Sequence, residues 1–311
     1  MGVDRSGVLV ELRAMLEADD LKPAPAPEAL TVAGRRAEAD LRLPGLWGKP
    51  DAVEHIEDLS IESPGGQLRA RLYRPAEARG TVLFFHGGGW VVGSIETHDA
   101  ATRAFANAAR ANVLSLGYRR APEHPFPAAV QDADAALDWL LASGGAAGLA
   151  IDRVVVAGES AGATLAAVLA RHARDRGIPL AGQVLIYPVT DTEMASDSYR
   201  TFADGFYLTA ENMGWFFDQY LGGQNLNDPD AAPLRTPDLS RLAPAFLMTA
   251  GHDPLRDQGR AYAARLVEAG NSVTYREVGG GIHGMWMMDR LTTATRELIS
   301  ETAAWIRSRL A

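Results

Sequence analysis

Residues 154–167 read VVVAGESAGATLAA, with Ser160 placed between two glycines. The run before the serine is apolar and β-branched, as in a buried strand, and the run after it is alanine-rich, as in a helix. A chain that passes from strand to helix in so few residues must turn sharply, and Gly158 and Gly162 have no Cβ atoms to obstruct that turn. The pattern G-x-S-x-G in this context predicts a strained serine whose hydroxyl stands exposed above a sheet as a nucleophile.

A serine hydroxyl is a weak nucleophile at neutral pH and needs an adjacent base that a third group holds in position. In proteins with this serine turn, the acid and the histidine follow the serine in that order. Three histidines follow Ser160. His172 lies inside the next helical run, where we expect it to face solvent, and His252 lies directly beside an aspartate. His283 follows the last predicted strand on the glycine-rich loop EVGGGIHGMW, which favours it as the base.

The acid is expected at the end of a strand before His283. Asp253, in TAGHDPLRDQ, ends the penultimate predicted strand, and Pro254 prevents the strand from simply continuing. The alternative is Asp191, which follows the strand QVLIYPV. We favour Asp253, and we expect Asp257 to cap the next helix, because an aspartate accepts hydrogen bonds from the free amides of a first helical turn.

A tetrahedral oxyanion needs preorganised donors, and the segment LFFHGGGWVVGS can supply them. Its glycines let the chain turn so that amide hydrogens point inward, and we assign Gly88 and Gly89 as donors, with the Ala161 amide as the third. His86 and Gly87 are expected to shape the loop. A phosphate-binding glycine loop is the competing interpretation, but no Gly-Lys-Ser/Thr follows.

Composition excludes several classes of protein and site. The 311 residues carry a formal charge of −9 without a basic run, which argues against nucleic acid or an anionic membrane surface as a partner. The chain has no cysteine, so disulfides, a thiolate nucleophile and thiolate metal ligands are excluded. His86, His98 and His124 match no metal-binding spacing, and we expect no metal site.

The N-terminal twenty residues are acidic, whereas a secretory signal has a basic start and an uninterrupted apolar stretch. They are typical of an amphipathic helix. No apolar run approaches the roughly 18 residues of a membrane span. We therefore expect a soluble, cytoplasmic protein without stable membrane insertion.

The chain alternates short apolar strands with amphipathic helices after residue 81. The segments TVLFF, NVLSLGY, RVVVAG, QVLIYP, AFLMTAG and SVTYREV are predicted strands, and helices are predicted near 98–110, 127–143, 161–175, 257–269 and 290–310. This alternation predicts an α/β fold with a mostly parallel sheet and helices on both faces. A hairpin-like antiparallel pair is predicted before it, around Pro64 to Gly66.

Two segments interrupt this alternation, residues 1–50 and about 190–240. We interpret residues 1–311 as one domain in which these two segments form a helical cap over the strand ends. The aromatic run Trp215, Phe216, Phe217 and Tyr220 is then expected to line an apolar pocket. The alternative is that these side chains are ordinary helix core.

Several longer motifs occur together in one order: HGGGWVVGSIETHD, YRRAPEHPFPAAVQDADAALDWL, GESAG, YPVTD, DPLRDQGRAYAARLVEAG and a final HG. With them the chain resembles the hormone-sensitive-lipase-like family of bacterial carboxylesterases, which have the α/β-hydrolase fold. The resemblance covers most of residues 80–285. It implies a Ser160, Asp253 and His283 triad, an oxyanion hole after His86, a mobile cap, no cofactor, and activity on esters of short to medium acyl chains.

The chain departs from that family's usual pattern at a few positions. Glu159 replaces an aspartate, Ala163 a glycine, Met285 a phenylalanine, and Arg119 or Arg120 a leucine. We expect Glu159 to alter the contacts that hold the serine turn and Met285 to reshape the pocket wall. Because no triad atom changes, these departures affect rate and specificity more than reaction type.

The sequence therefore predicts a serine carboxylesterase whose partner is a small-molecule ester. One alternative is a catalytically silent ligand-binding protein on the same fold, and another is an acyltransferase or amidase with the same triad. The natural ester is not specified by the sequence. A homodimer through the edge segment SVTYREV is a further possibility.

Overall fold

The computed structural model describes residues 3–21, 30–224 and 227–311, and its centre is an eight-stranded sheet. The strands are β1 (His55–Ser63), β2 (Gly66–Arg74), β3 (Thr81–Phe85), β4 (Asn112–Gly117), β5 (Val154–Glu159), β6 (Gly182–Ile186), β7 (Ala245–His252) and β8 (Val273–Ile282). Their order is β1-β2-β4-β3-β5-β6-β7-β8. The β1–β2 and β2–β4 pairs are antiparallel and the other pairs are parallel, so the carboxyl ends of β3 and β5 to β8 meet at one edge.

Burial explains why the central strands are continuous apolar runs. Every residue of β3 and of β5 is buried, since helices cover both faces of the parallel part of the sheet. The β1–β2 hairpin lies at one end of the sheet and pairs Ser63 with Gly66 across its turn. Gly66 has a φ of 108°, a left-handed conformation that glycine adopts without steric cost.

Nine α-helices lie in the described residues. They are α1 (Val10–Asp20), α2 (Val32–Gly45), α3 (Ile95–Ala109), α4 (Ala128–Ser143), α5 (Ala161–Asp175), α6 (Asp197–Thr201), α7 (Ala210–Leu221), α8 (Arg256–Glu268) and α9 (Ala294–Leu310). Helices α3 and α9 pack on one face of the sheet, where Phe105 and Ile306 are buried with Phe84. Helices α4, α5 and α8 cover the other face, so the sheet separates two apolar cores.

The predicted α/β architecture is confirmed. All six strands predicted after residue 81 are present, and the predicted hairpin is the β1–β2 pair. Each of the five predicted helices is also present, with ends displaced by a few residues. The hydrophobic pattern was sufficient here because buried parallel strands and amphipathic helices differ strongly in period.

The two segments outside the alternation contact each other. Helices α1 and α2 lie in the first segment, whose residues 1–2 and 22–29 are outside the described ranges, and α6 and α7 lie in the second. The Arg35 guanidinium donates to Asn212 Oδ1 at 3.0 Å and stacks over the Trp215 ring at 4.3 Å. Arg5 donates to the Gly205 carbonyl at 2.7 Å. These contacts join the two segments, as expected if both belong to one cap. Their role as a cap over the strand ends stays a prediction.

Within the described ranges, every helix is too short or too polar to span a membrane. Strand β8 is an edge strand, with Tyr275 among its exposed side chains. Pairing of two chains through this edge stays a prediction.

Candidate active site

Ser160 lies at the sharp turn between β5 and α5. Its φ of 54° and ψ of −122° are strained for a residue with a side chain. The turn is held because the Ser160 amide donates to the Ile186 carbonyl of the neighbouring strand β6 at 2.9 Å. The side chain thereby stands at the carboxyl edge of the sheet, at the end of a cavity.

The two glycines of the serine motif are required by close backbone contacts. A Cβ at Gly158 would overlap the backbone of Gly162, and a Cβ at Gly162 would overlap the carbonyl groups of Phe85 and His86. The glycines therefore let β5, α5 and the end of β3 approach one another. Larger residues would push the serine away from its partners.

His283 and Asp253 complete a hydrogen-bonded relay with Ser160. His283 Nε2 lies 2.9 Å from Ser160 Oγ, and His283 Nδ1 lies 2.7 Å from Asp253 Oδ2. Asp253 follows β7, and its Oδ1 accepts the Leu255 amide at 2.9 Å. His283 follows β8. The structure brings together the three residues that the sequence predicts as nucleophile, base and acid.

The environment of His283 is suited to a proton acceptor. Burial by itself lowers the pKa of the imidazole, but the adjacent Asp253 carboxylate raises it by more, and Glu159 adds to the increase. The net pKa is therefore above its ordinary value of 6.5. An ionised Asp253 favours the tautomer with the proton on Nδ1, which leaves the Nε2 lone pair facing the serine hydroxyl.

This geometry predicts the pH dependence of ester cleavage. A protonated His283 cannot accept the serine proton, so kcat/KM falls as pH decreases through the pKa of the free enzyme. We expect the midpoint of this acidic limb above pH 6.5. The measurement is kcat/KM for p-nitrophenyl butyrate between about pH 5 and pH 9, corrected for spontaneous hydrolysis. A midpoint below the ordinary histidine value would contradict the assignment.

The segment 86–93, which we call the oxyanion loop, contributes to the lining of the same cavity as His283. Gly88 and Gly89 have φ values of 114° and 57°, and both line the cavity together with Ser160. In the described part of the chain their amides donate to no protein acceptor. The Ala161 amide, at the first turn of α5, is likewise free of a protein acceptor there. The three predicted donors are thus available to a bound oxygen.

His86 supports this loop through its ring and its carbonyl group. Its Nδ1 lies 2.8 Å from the Gly87 carbonyl, and the Tyr118 hydroxyl donates to the His86 carbonyl at 2.9 Å. The two rings stack at 4.3 Å. Complete burial lowers the pKa of His86 to about 3, so the ring is neutral and its Nδ1–H donates to Gly87.

The cavity at Ser160 has a volume of about 210 Å³. Its lining includes the apolar residues Leu43, Val189, Leu208, Met213, Phe216 and Met287, and α2 also contributes Arg35, Glu38 and Arg42. The predicted aromatic run divides between two roles. Phe216 lines the cavity, whereas Tyr220 is buried core that stacks on Trp90 at 4.1 Å.

Other candidate residues have roles away from the relay. The alternative acid Asp191 is bound to Arg235 at 2.8 Å. The expected cap Asp257 does not cap its own helix, because α8 has no side-chain cap; its carboxylate accepts the Ser198 amide of α6 at 2.8 Å instead. His172 does not face solvent freely but lies between Asp134 and Asp230, which raise its pKa to about 9.

The prediction that Met285 shapes the pocket wall is wrong. Its side chain is fully buried in the core, and Met287 lines the cavity in its place. Among the described residues, no group of three or more histidines and carboxylates is arranged as metal ligands.

Two arginines that the sequence did not single out for a contact hold the oxyanion loop. Arg36 of α2 donates to the Val91 carbonyl at 2.9 Å and to the Ala121 carbonyl at 2.8 Å, and it pairs with Glu123. Arg120 donates to the Gly93 carbonyl at 2.7 Å. An arginine that binds a loop carbonyl has no local sequence signal, so only the fold reveals these contacts.

Comparison with known proteins places this geometry in context. A family model described as the alpha/beta hydrolase fold matches residues 82–287. The carboxylic ester hydrolase LipN of Mycobacterium tuberculosis is 43% identical, over 82% of this chain and 72% of that protein. An ethyl acetate hydrolase of Pseudomonas putida is 38% identical, over 78% of this chain and 79% of its own length.

The fold is also similar to solved esterases. The hyperthermophilic esterase of the archaeon Pyrobaculum calidifontis superposes with a TM-score of 0.91 at 38% identity, over 98% of this chain and 99% of that one. The similarity therefore extends beyond the sheet.

Proposed function

This chain belongs to the hormone-sensitive-lipase-like family of α/β hydrolases, and from that membership we propose that Ser160, His283 and Asp253 carry out its reaction. The protein is a carboxylic ester hydrolase, as the sequence predicts. The observation that supports the three roles best is the continuous relay from Ser160 Oγ through His283 to Asp253, with distances of 2.9 and 2.7 Å.

The first half of the reaction acylates the serine. Ser160 Oγ attacks the ester carbonyl carbon while His283 Nε2 takes the hydroxyl proton, and Asp253 stabilises the imidazolium that forms. The carbonyl oxygen becomes an oxyanion that accepts hydrogen bonds from the amides of the oxyanion loop and of Ala161. When the tetrahedral intermediate collapses, the C–O bond to the alcohol breaks and His283 returns its proton to the leaving oxygen.

The second half releases the acid. Water takes the place of the alcohol, His283 Nε2 removes one of its protons, and the oxygen attacks the acyl carbon. Collapse of the second tetrahedral intermediate breaks the bond to Ser160 Oγ, which regains its proton from His283. The carboxylic acid leaves and the enzyme is restored.

The cavity supports a preference for small esters. Pockets that enclose a drug-sized ligand measure about 300 to 1,000 Å³, and this one is smaller. Six apolar side chains are among those that line it, and they suit an acyl chain. We therefore propose that the protein hydrolyses esters of short to medium acyl chains.

A covalent label tests the nucleophile. A p-nitrophenyl alkylphosphonate should form a P–O bond with Ser160 Oγ and release one p-nitrophenolate per chain. Peptide mass mapping is expected to find the adduct on the peptide that contains Ser160. An adduct on a different serine would refute the assignment.

An acyl series tests the substrate class. The acetate, butyrate, octanoate and dodecanoate esters of p-nitrophenol share one leaving group, so differences in kcat/KM report the acyl site. We expect the highest value with acetate or butyrate and a value at least about tenfold lower with dodecanoate. Equal or rising activity toward dodecanoate would contradict the small cavity.

A further inference from the structure

A second buried histidine lies beneath the oxyanion loop, outside the relay. His98 is in the first turn of α3, is 2% exposed and contributes to the cavity lining. Its two ring nitrogens contact different parts of the protein. Nδ1 lies 2.9 Å from Thr97 Oγ1, and Nε2 lies 3.3 Å from the Gly87 amide nitrogen of the oxyanion loop.

These contacts define the tautomer of His98. A backbone N–H can only donate, so the Gly87 amide requires a lone pair on Nε2. A neutral ring then carries its proton on Nδ1, which donates to Thr97 Oγ1. The Thr97 hydroxyl has its own proton free to donate to the Ser94 carbonyl, which lies 2.9 Å away. This arrangement satisfies the Gly87 amide, both ring nitrogens of His98 and the Thr97 hydroxyl.

The Gly87 residue is consequently held on both sides. Its N–H donates to His98, and its carbonyl oxygen accepts from His86 Nδ1 at 2.8 Å. A peptide group is planar, so the position of the Gly87 carbonyl also determines the direction of the following Gly88 N–H. His98 thus contacts the His86–Gly87 peptide, and His86 contacts the Gly87–Gly88 peptide, which carries the Gly88 N–H.

Glu159 and His86 lie beside the His98 ring. Glu159 Oε2 lies 3.5 Å from His98 Nε2 and occupies the space that a side chain at Gly87 would need. The His86 ring lies 5.5 Å away by centroids. A proton on Nε2 would turn toward Glu159 and leave the Gly87 amide without an acceptor.

We propose that His98 is a positioning residue for ester hydrolysis: its Nε2 lone pair holds the Gly87 amide while His86 holds the Gly87 carbonyl, and the two together fix the Gly87 backbone that orients the Gly88 N–H. The proposal rests on the proposed function of Gly88 and Gly89 as oxyanion donors. His98 contacts no reacting atom. Its effect is therefore expected on the transition state, which contains the oxyanion, more than on ester binding.

Two substitutions distinguish the contribution of the hydrogen-bond acceptor of His98 from that of its side-chain volume. His98→Leu fills most of the volume but offers no acceptor, and we expect kcat to fall about 10- to 100-fold with KM changed less than about threefold. His98→Gln places an amide oxygen near the position of Nε2, and we expect kcat within about threefold of the parent. The inhibition constant of a trifluoromethyl ketone, which forms an oxyanion on the enzyme, should weaken in His98→Leu by the factor lost from kcat.

Thr102→Val is the matched control. Thr102 is buried one turn further along α3 and donates only to the His98 backbone carbonyl, at 2.8 Å. Its kcat should stay within about twofold of the parent. Circular dichroism and thermal unfolding report folding for each variant. If His98→Leu does not fold, His98→Asn replaces it, since its shorter side chain cannot reach Gly87.

The outcomes are decisive in both directions. The proposal is overturned if the folded variant without an acceptor keeps kcat within about twofold, or if His98→Gln is as impaired as His98→Leu. It is also overturned if KM alone changes. Ser160→Ala is measured in parallel to distinguish a failure of the His98 proposal from a failure of the proposed function. A fully active Ser160→Ala would refute the proposed function itself, whatever the result at His98.

Discussion

Replacing Ser160 by alanine is expected to lower kcat/KM for p-nitrophenyl butyrate by about 10⁴- to 10⁶-fold. The substitution removes the hydroxyl that lies 2.9 Å from His283 Nε2, so no acyl-enzyme is expected to form. The oxyanion donors and the cavity remain in place, and they account for the residual rate above that in water. The measurement is steady-state release of p-nitrophenolate, together with the loss of any pre-steady-state burst.

Ser115→Ala provides the matched control for Ser160→Ala. Ser115 is a fully buried serine of β4 whose hydroxyl has no hydrogen-bond partner among the described residues. Its removal should leave kcat/KM within about twofold of the parent. A loss of less than about tenfold in Ser160→Ala would show that the hydroxyl is not the nucleophile.

Asp253→Asn is expected to lower kcat by about 10⁴-fold without loss of the fold. Asp253 Oδ1 accepts the Leu255 amide at 2.9 Å, and Oδ2 faces His283 Nδ1 at 2.7 Å. An asparagine must keep its oxygen toward the Leu255 N–H, so its NH₂ group turns toward His283. Nδ1 then has to accept, the ring proton moves to Nε2, and His283 can no longer take the proton of Ser160.

The alternative acid serves as the comparison in this experiment. Asp191→Asn removes a carboxylate that binds Arg235, and we expect kcat within about threefold of the parent. If Asp191→Asn lost as much activity as Asp253→Asn, the acid of the relay would have to be assigned again. Thermal unfolding of both variants separates a loss of stability from a loss of catalysis.

Local pattern was enough to predict the serine turn and most of the fold. The strand before Ser160, the helix after it and the glycines beside it lie within fourteen residues. Each is indicated by the residue types of that short segment, without any contact to a distant part of the chain. Asp253 and His283 were predicted from chain order, because the parallel strands that carry them end at the same edge of the sheet. The structure brings these residues to hydrogen-bonding distance.

What the sequence could not predict depends on contacts between distant segments. Asp257 was expected to cap its own helix, but the amide of Ser198, 59 residues away, is its partner. Met285 was assigned to the pocket wall, but the short helical turn after His283 points it into the core and leaves Met287 at the cavity. Hydrophobic character alone does not say which of two neighbouring methionines faces a ligand.

The attachment of α2 to the oxyanion loop through Arg36 has a consequence for the order of events in a catalytic cycle. If α2 moves away from the cavity to admit an ester, Arg36 moves with it and its bond to the Val91 carbonyl, on the proposed oxyanion loop, is lost. A bulky ester that keeps α2 displaced should occupy the enzyme as an inhibitor, not as a slow substrate.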